Sequence, residues 1–297
     1  FAKSGMMTLV GLALGTFVGG VIPLVHPYLP LQDSAIFTAL SLPLVASLFI
    51  QVIRLALVII LVKEEQRTAE KSLRGIASSL PAFVKDAVKM SQNSKILRWL
   101  LLVSFGGGFV MTNLENLWQP HFAELLGPER DSTIIFGIIM AGNFVLGAVG
   151  NMLSSALGKR FQGRLGLMAG IVEILRGFTL LLLVLQENAF ISVALFWLVY
   201  FGMGLNGPAI GTILHGEIPA ELRSTMLSIQ SMVSYIGVFA GSLILGSIAE
   251  RFSIAKGWMV GSFMLMLLLL PYLKINRLYQ PAVEAEKEKP DGQLQTV

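Results

Sequence analysis

The side chains with the most chemical potential in this sequence stand inside apolar runs. Thr112-Asn113-Leu114-Glu115-Asn116-Leu117-Trp118-Gln119-Pro120 places a carboxylate and two amides near the end of one run, and Glu173 and Arg176 lie i, i+3 within another. An ionisable group in hydrocarbon costs roughly 2.5–3.5 kcal/mol or more, so it marks an ion pair, a titrating group or the wall of a polar route. Glu115 is either an interfacial carboxylate in water or a gate that responds to protons or cations. Asn113 and Asn116 share a helical face, so one of them meets a partner helix. Glu173 and Arg176 have the spacing of an intramembrane ion pair, for which a structural role is the favoured reading. Arg54, close to Lys63, is expected to snorkel toward one surface.

Uncharged polar groups form longer faces. Asn143, Gly147, Gly150 and Asn151 fall on one side of a helix, and Gly202, Gly204, Asn206, Gly207, Pro208 and Gly211 mark one that bends. Ser224, Ser228, Ser231 and Tyr235 make a stripe at helical spacing. Such stripes suit either interhelical hydrogen bonds or a water-filled route, not lipid. Enzyme chemistry has no support, and no cofactor is implied: H-E-x-x-H, G-x-S-x-G and a P-loop are all missing. His26, His121 and His215 are scattered and there is no Cys, so no metal site is expected. His215 and Glu217 can pair, or merely cap a helix end.

The elements that carry these groups follow from composition. Of 297 residues, 54% are hydrophobic and only 13% charged, with mean hydropathy +0.73. Soluble domains carry about 25% charge, so the solvent for much of this chain is lipid. A bilayer crossing needs about 20 mostly apolar residues. Eight runs qualify: 5–25, 36–62, 99–119, 133–157, 165–186, 190–213, 224–248 and 257–275. They lack the alternation of a membrane β-barrel. The expected fold is therefore all-α, a polytopic membrane protein with eight transmembrane helices.

The pI of about 9.4 reflects orientation, not nucleic acid. Lys and Arg crowd one side: Lys3, the long connector 63–98, the cluster Lys159, Arg160 and Arg164, Arg223, and the segment 278–297 with its approach. The other side holds Arg130, Arg251 and Lys256. By the positive-inside rule both ends and the connector are cytoplasmic. The connector is expected to contain a short amphipathic helix over 81–92 and to divide the spans two plus six, 1–62 against 99–277. The tail 278–297 is expected to be disordered.

Three local patterns then resemble one family. Gly11-Leu-Ala-Leu-Gly15-Thr16-Phe-Val-Gly19-Gly20 resembles the fifth-helix antiporter motif of drug exporters, G-x3-G-P-x2-G-G, with Thr16 at the proline position and Ala2 at that of the upstream glycine. Gly158-Lys159-Arg160-Phe161-Gln162-Gly163-Arg164 is similar to the basic turn between family helices eight and nine, without its aspartate and with the spacing off by one. Glu217-Ile-Pro219-Ala-Glu221-Leu-Arg223-Ser-Thr-Met-Leu-Ser228 resembles the turn between helices ten and eleven. The family is the major facilitator superfamily, and the resemblance covers residues 1 to about 277.

It implies two six-helix bundles, of which this chain would be an N-terminally truncated fragment holding helices five to twelve, with an incomplete N-terminal half. The glycines of the first span, like Gly237, Gly241 and Gly246 of the seventh, are then either close packing surfaces or part of an occlusion device. The resemblance further implies a secondary transporter of a small-molecule substrate, lodged in the lipid bilayer of a plasma (inner) membrane, monomeric when full length. Proton-coupled drug efflux is its sharper form. The substrate route would run along spans three, four, six and seven, through Asn113, Glu115, Asn116, Asn143, Asn151, Asn206, Ser228, Ser231 and Tyr235. The alternative is a receptor or assembly protein that keeps the fold without transport. Polar faces that converge on a cavity favour the first; polar faces used up between helices favour the second.

Overall fold

The computed structural model describes residues 2–30, 37–61, 85, 89–127 and 133–287. Eight helical segments are long and apolar enough to cross a membrane, and no strand occurs among the described residues. Numbered here in chain order, the helices are α1 (Ala2–Val21), α2 (Leu42–Leu61), α3 (Lys95–Leu126), α4 (Thr133–Arg160), α5 (Leu165–Val184), α6 (Ala189–Glu217), α7 (Arg223–Arg251), α8 (Ile254–Leu267) and α9 (Leu269–Lys287).

Local chemistry sets their limits. The run 5–25 does not stay α-helical: Pro23 and Pro27 remove backbone donors, and the chain tightens into a 3₁₀ segment over Ile22–Tyr28. Ahead of α2, Thr38 and Ser41 cap each other, each hydroxyl accepting from the other's backbone N–H at 3.3 and 2.8 Å. Ser94 caps α3 by accepting from Leu97 N–H at 3.2 Å, which extends the run 99–119 back to Lys95; Gly127, at φ 74°, ends it. Asn188 caps α6 through the backbone N–H of Phe190 and Ile191. The basic turn after α4 reverses through two left-handed residues, Gln162 and Gly163, at φ 54° and 77°.

Three sequence expectations change. The eighth run is two helices, α8 and α9, broken at Leu268; Pro271 cannot donate back to Leu267 and its ring crowds that carbonyl. The connector read as 63–98 ends earlier, because Lys95–Arg98 already belong to α3. The tail read as disordered from 278 starts helically, α9 running to Lys287; Ala, Glu and Lys there are strong helix formers and need no burial to favour the state. Of the amphipathic helix expected over 81–92, residues 89–93 are helical, while most of its first half lies outside the described residues, as do 288–297.

Packing is organised around α4 and α5. α4 lies between α1 and α6, α3 packs along α7 and meets α8, and α5 packs on α6, α8 and α9. Many of these crossings are made by glycine. A Cβ on Gly237 would strike the carbonyl of Phe105, one on Gly241 that of Phe109, and one on Gly108 that of Ser234, so α3 and α7 touch backbone to backbone. Gly150 against Phe201 and Gly204 against Gly147 do the same for α4 and α6. Without a hydrophobic drive between helices in lipid, such close approach supplies the dispersion contact that holds them together. An aromatic cluster of Trp118, Phe122, Phe196 and Trp258 closes one end, with Phe196 stacked on Trp118 and Trp258. The outer surface is apolar, as at Leu175, Phe190 and Phe239, and α2 has no buried residue at all.

Candidate functional site

A cavity of about 630 Å³ opens between α3, α5, α6, α7 and α9. One wall follows a single face of α3 (Ser104, Gly107, Gly108, Met111, Thr112, Glu115); the facing wall is Met203, Asn206, Gly207, Ile210, Gly211 and Leu214 of α6. Each wall runs about 18 Å at a helical rise. Gly107, Gly207 and Gly211 have nothing within 4 Å of where a Cβ would stand. Their missing side chains are therefore the space itself. The six-residue cluster read as a bend in span six divides by role: Gly202 and Gly204 pack, against Arg176 and Gly147, while Gly207 and Gly211 make room.

The polar network on the wall is centred on α5. Arg176 Nη1 donates to both carboxylate oxygens of Glu173 at 2.8 Å, and Nε donates to the carbonyl of Val199 at 3.2 Å. Among the described residues, Nη2 reaches only the thioether of Met111, at 3.2 Å. Asn206 Nδ2 donates to Glu173 Oε1 at 3.0 Å and to the Ala169 carbonyl at 3.2 Å. Both charged groups are about 5% exposed. The fifth span, which the expected route left out, contributes to the wall: the ion pair faces the cavity, because α5 packs between α6 and α9 and presents its polar face inward.

Of the other residues expected on a route, Glu115, Asn206 and Ser231 line the cavity. Glu115 has no ion-pair or hydrogen-bond partner among the described residues. Asn113 and Asn116, despite their shared face, do not line it. Asn113 is buried, its backbone carbonyl accepting from Trp258 at 3.4 Å, and Asn116 donates to Thr112 within its own helix. Asn143 and Asn151 are off the wall too. Their stripe is used against α6, where Trp197 donates to the Ile139 carbonyl at 2.8 Å and Ser154 to that of Leu205 at 2.7 Å. Ser228 and Tyr235 lie on an open groove of α7 with Ser231, and Tyr235 is 70% exposed. Besides Ser231, the cavity face of α7 is Leu227, Gln230, Ser234 and Val238, a row turned about 100° from the stripe. Gln230 donates there to Ser104 at 3.0 Å, and Tyr272 of α9 adds a buried hydroxyl. Sequence reading missed all three; the i, +3, +7, +11 spacing from Leu227 was the available signal for Gln230.

The first-span motif also divides. Gly11, Gly15 and Gly19 face open space, whereas a Cβ on Gly20 would sit 2.8 Å from the Thr133 carbonyl and 2.9 Å from Gly137 Cα. Thr16 turns its hydroxyl back to the Leu12 carbonyl at 2.9 Å. Gly20→Ala is accordingly expected to destabilise by about 1–3 kcal/mol through overpacking, while Gly15→Ala is expected to be neutral or slightly stabilising. Thermal unfolding of the two purified variants separates them; equal midpoints would show that the α1–α4 crossing does not depend on this contact. The basic turn residues Lys159 and Arg160 end α4 and Arg164 precedes α5.

Eight membrane-length helical segments, with a largely apolar, solute-sized cavity carrying a few polar groups among them, define a polytopic membrane protein of transport type. The family model described as Major Facilitator Superfamily matches residues 1–242, and the chain belongs to that superfamily, whose members are membrane transporters. No individual curated protein matches it.

Proposed function

We propose that the protein is a secondary active transporter that moves a small organic solute by alternating access, and that its specific form is proton-coupled efflux of drug-like cations. The observation that carries the reading is Glu115, an acid on the wall of a largely apolar cavity with no partner among the described residues. A carboxylate in that setting attracts a cation and exchanges it against a proton. The two functions need not be separate, since protonating Glu115 removes the charge that holds the solute. Apolar residues such as Leu214, Leu227 and Val238 would take the hydrophobic body. The skew of Lys and Arg toward the connector supports cytoplasmic ends in an inner membrane. A receptor without transport has one observation on its side, the use of the α4 stripe in packing.

The test is accumulation of a cationic dye in everted vesicles holding the full-length protein. Uptake that requires a pH gradient and falls at least 10-fold in Glu115→Gln is the expected result. Uptake indifferent to the substitution would remove Glu115 from the mechanism. No uptake by folded protein would favour the receptor.

A further inference from the structure

Resting on that transport reading, we propose that the cavity selects an amphoteric solute, holding its anionic oxygen at Arg176 and Tyr272 and its cationic nitrogen near Glu115. The wall carries unmet hydrogen-bonding capacity of both kinds. Glu173 straddles a single nitrogen of Arg176, so the guanidinium is neutralised without its second prong being used. That prong, Nη2, meets only the Met111 thioether among the described residues, a weak acceptor for so strong a donor. Beside the pair stands Tyr272, fully buried, its hydroxyl without a hydrogen-bond partner among the described residues. A carboxylate oxygen entering here would displace the sulfur contact and accept from both groups, giving charge-assisted hydrogen bonds.

The complementary capacity lies on the same wall. Both partners of Asn206 Nδ2 are acceptors, which fixes the amide orientation and leaves Oδ1 as a buried acceptor with no donor. Glu115 is four residues from Met111 on the same face of α3, about 6 Å along the helix. A cation alone would leave Arg176 Nη2 and the Tyr272 hydroxyl without an oxygen acceptor, and an anion alone would meet the field of Glu115. A solute with both charges several ångströms apart meets each pole. The rest of the wall, including Val103, Met203, Ile210 and Leu227, is apolar and suits an apolar or aromatic body and not a polyol.

The probe is a rhodamine bearing a free carboxylate, set against its methyl ester, which is the same fluorophore with only the positive charge. Fluorescence anisotropy on the purified full-length protein is expected to show the carboxylate dye bound about 10-fold more tightly. Glu173→Gln/Arg176→Gln, which removes both charges of the pair together, should bring the two dyes to equal affinity while still binding the ester. Retained ester binding also reports that this variant is folded. Tyr272→Phe should narrow the gap, and Glu115→Gln should weaken both dyes alike. Equal or weaker binding of the carboxylate dye by the unaltered protein overturns the inference, as does a preference that survives the paired substitution. Ester transport without such a preference would leave the cation-efflux reading standing alone. Failure of both dyes to bind folded protein would end both.

Discussion

Gly241→Ala is expected to lower stability by about 3 kcal/mol, although it adds one methyl group to a membrane helix. That methyl would strike the carbonyl of Phe109, which belongs to the backbone of α3 and cannot turn aside as a side chain can. Overpacking typically costs about 1–3 kcal/mol, and the upper end applies where the only relief is to move a helix. Gly237→Ala meets the Phe105 carbonyl one turn away and should act alike. Gly246→Ala is the control on the same helix: nothing lies within 4 Å, so alanine should gain up to about 1 kcal/mol of helix propensity. Displacing α7 from α3 would also part Gln230 from Ser104 and widen the wall that carries Glu115. Both destabilising variants should therefore lose substrate binding as well as thermal stability. Unfolding midpoints of Gly241→Ala and Gly246→Ala that agree would refute backbone contact as the basis of the α3–α7 crossing.

The second large effect concerns the buried pair. Arg176→Leu leaves the Glu173 carboxylate buried, at 4% exposure, with the Asn206 amide as its remaining hydrogen-bond donor among the described residues. Removing one partner of a buried ion pair costs about 3–5 kcal/mol, because the charge left behind is uncompensated. Glu173→Gln/Arg176→Gln should recover most of that loss, since no lone charge remains and amides at i, i+3 can still bond to each other and to Asn206. Relative yield and unfolding midpoint in detergent, measured on both variants beside the unaltered protein, read the loss and its recovery. Should Arg176→Leu melt with the unaltered protein, the pair does not stabilise the fold.

The membrane-crossing helices were legible because their signal is local. A run of about 20 apolar residues needs no knowledge of neighbours to be read as a span, and the i, i+3 spacing of Glu173 and Arg176 already brought their side chains together. The cavity was legible only in part. Glu115, Asn206 and Ser231 were singled out and do line it, while Asn113, Asn116, Asn143, Asn151, Ser228 and Tyr235 do not. Those residues carry the same polar signal but face α6, α8 or the open surface. Gln230 and Tyr272 were passed over, Gln230 because its row at helical spacing is partly apolar and Tyr272 because it stands alone. Among the glycines, Gly15 and Gly20 look equivalent in sequence, yet only Gly20 touches another backbone.

Sequence alone determined the number of spans, the lopsided distribution of charge and the family motifs. Each of these depends on hydropathy or on contacts within a few residues. Tertiary structure decided which face of each helix meets a neighbour, which meets lipid and which borders space. Periodicity fixes a residue's angle about its own helix axis but not what stands at that angle. That is settled by where glycines let backbones close, at Gly108, Gly237 and Gly241 for α3 and α7 and at Gly150 and Gly204 for α4 and α6. Once those crossings are made, the ion pair of α5 has one place to face, and it faces the cavity.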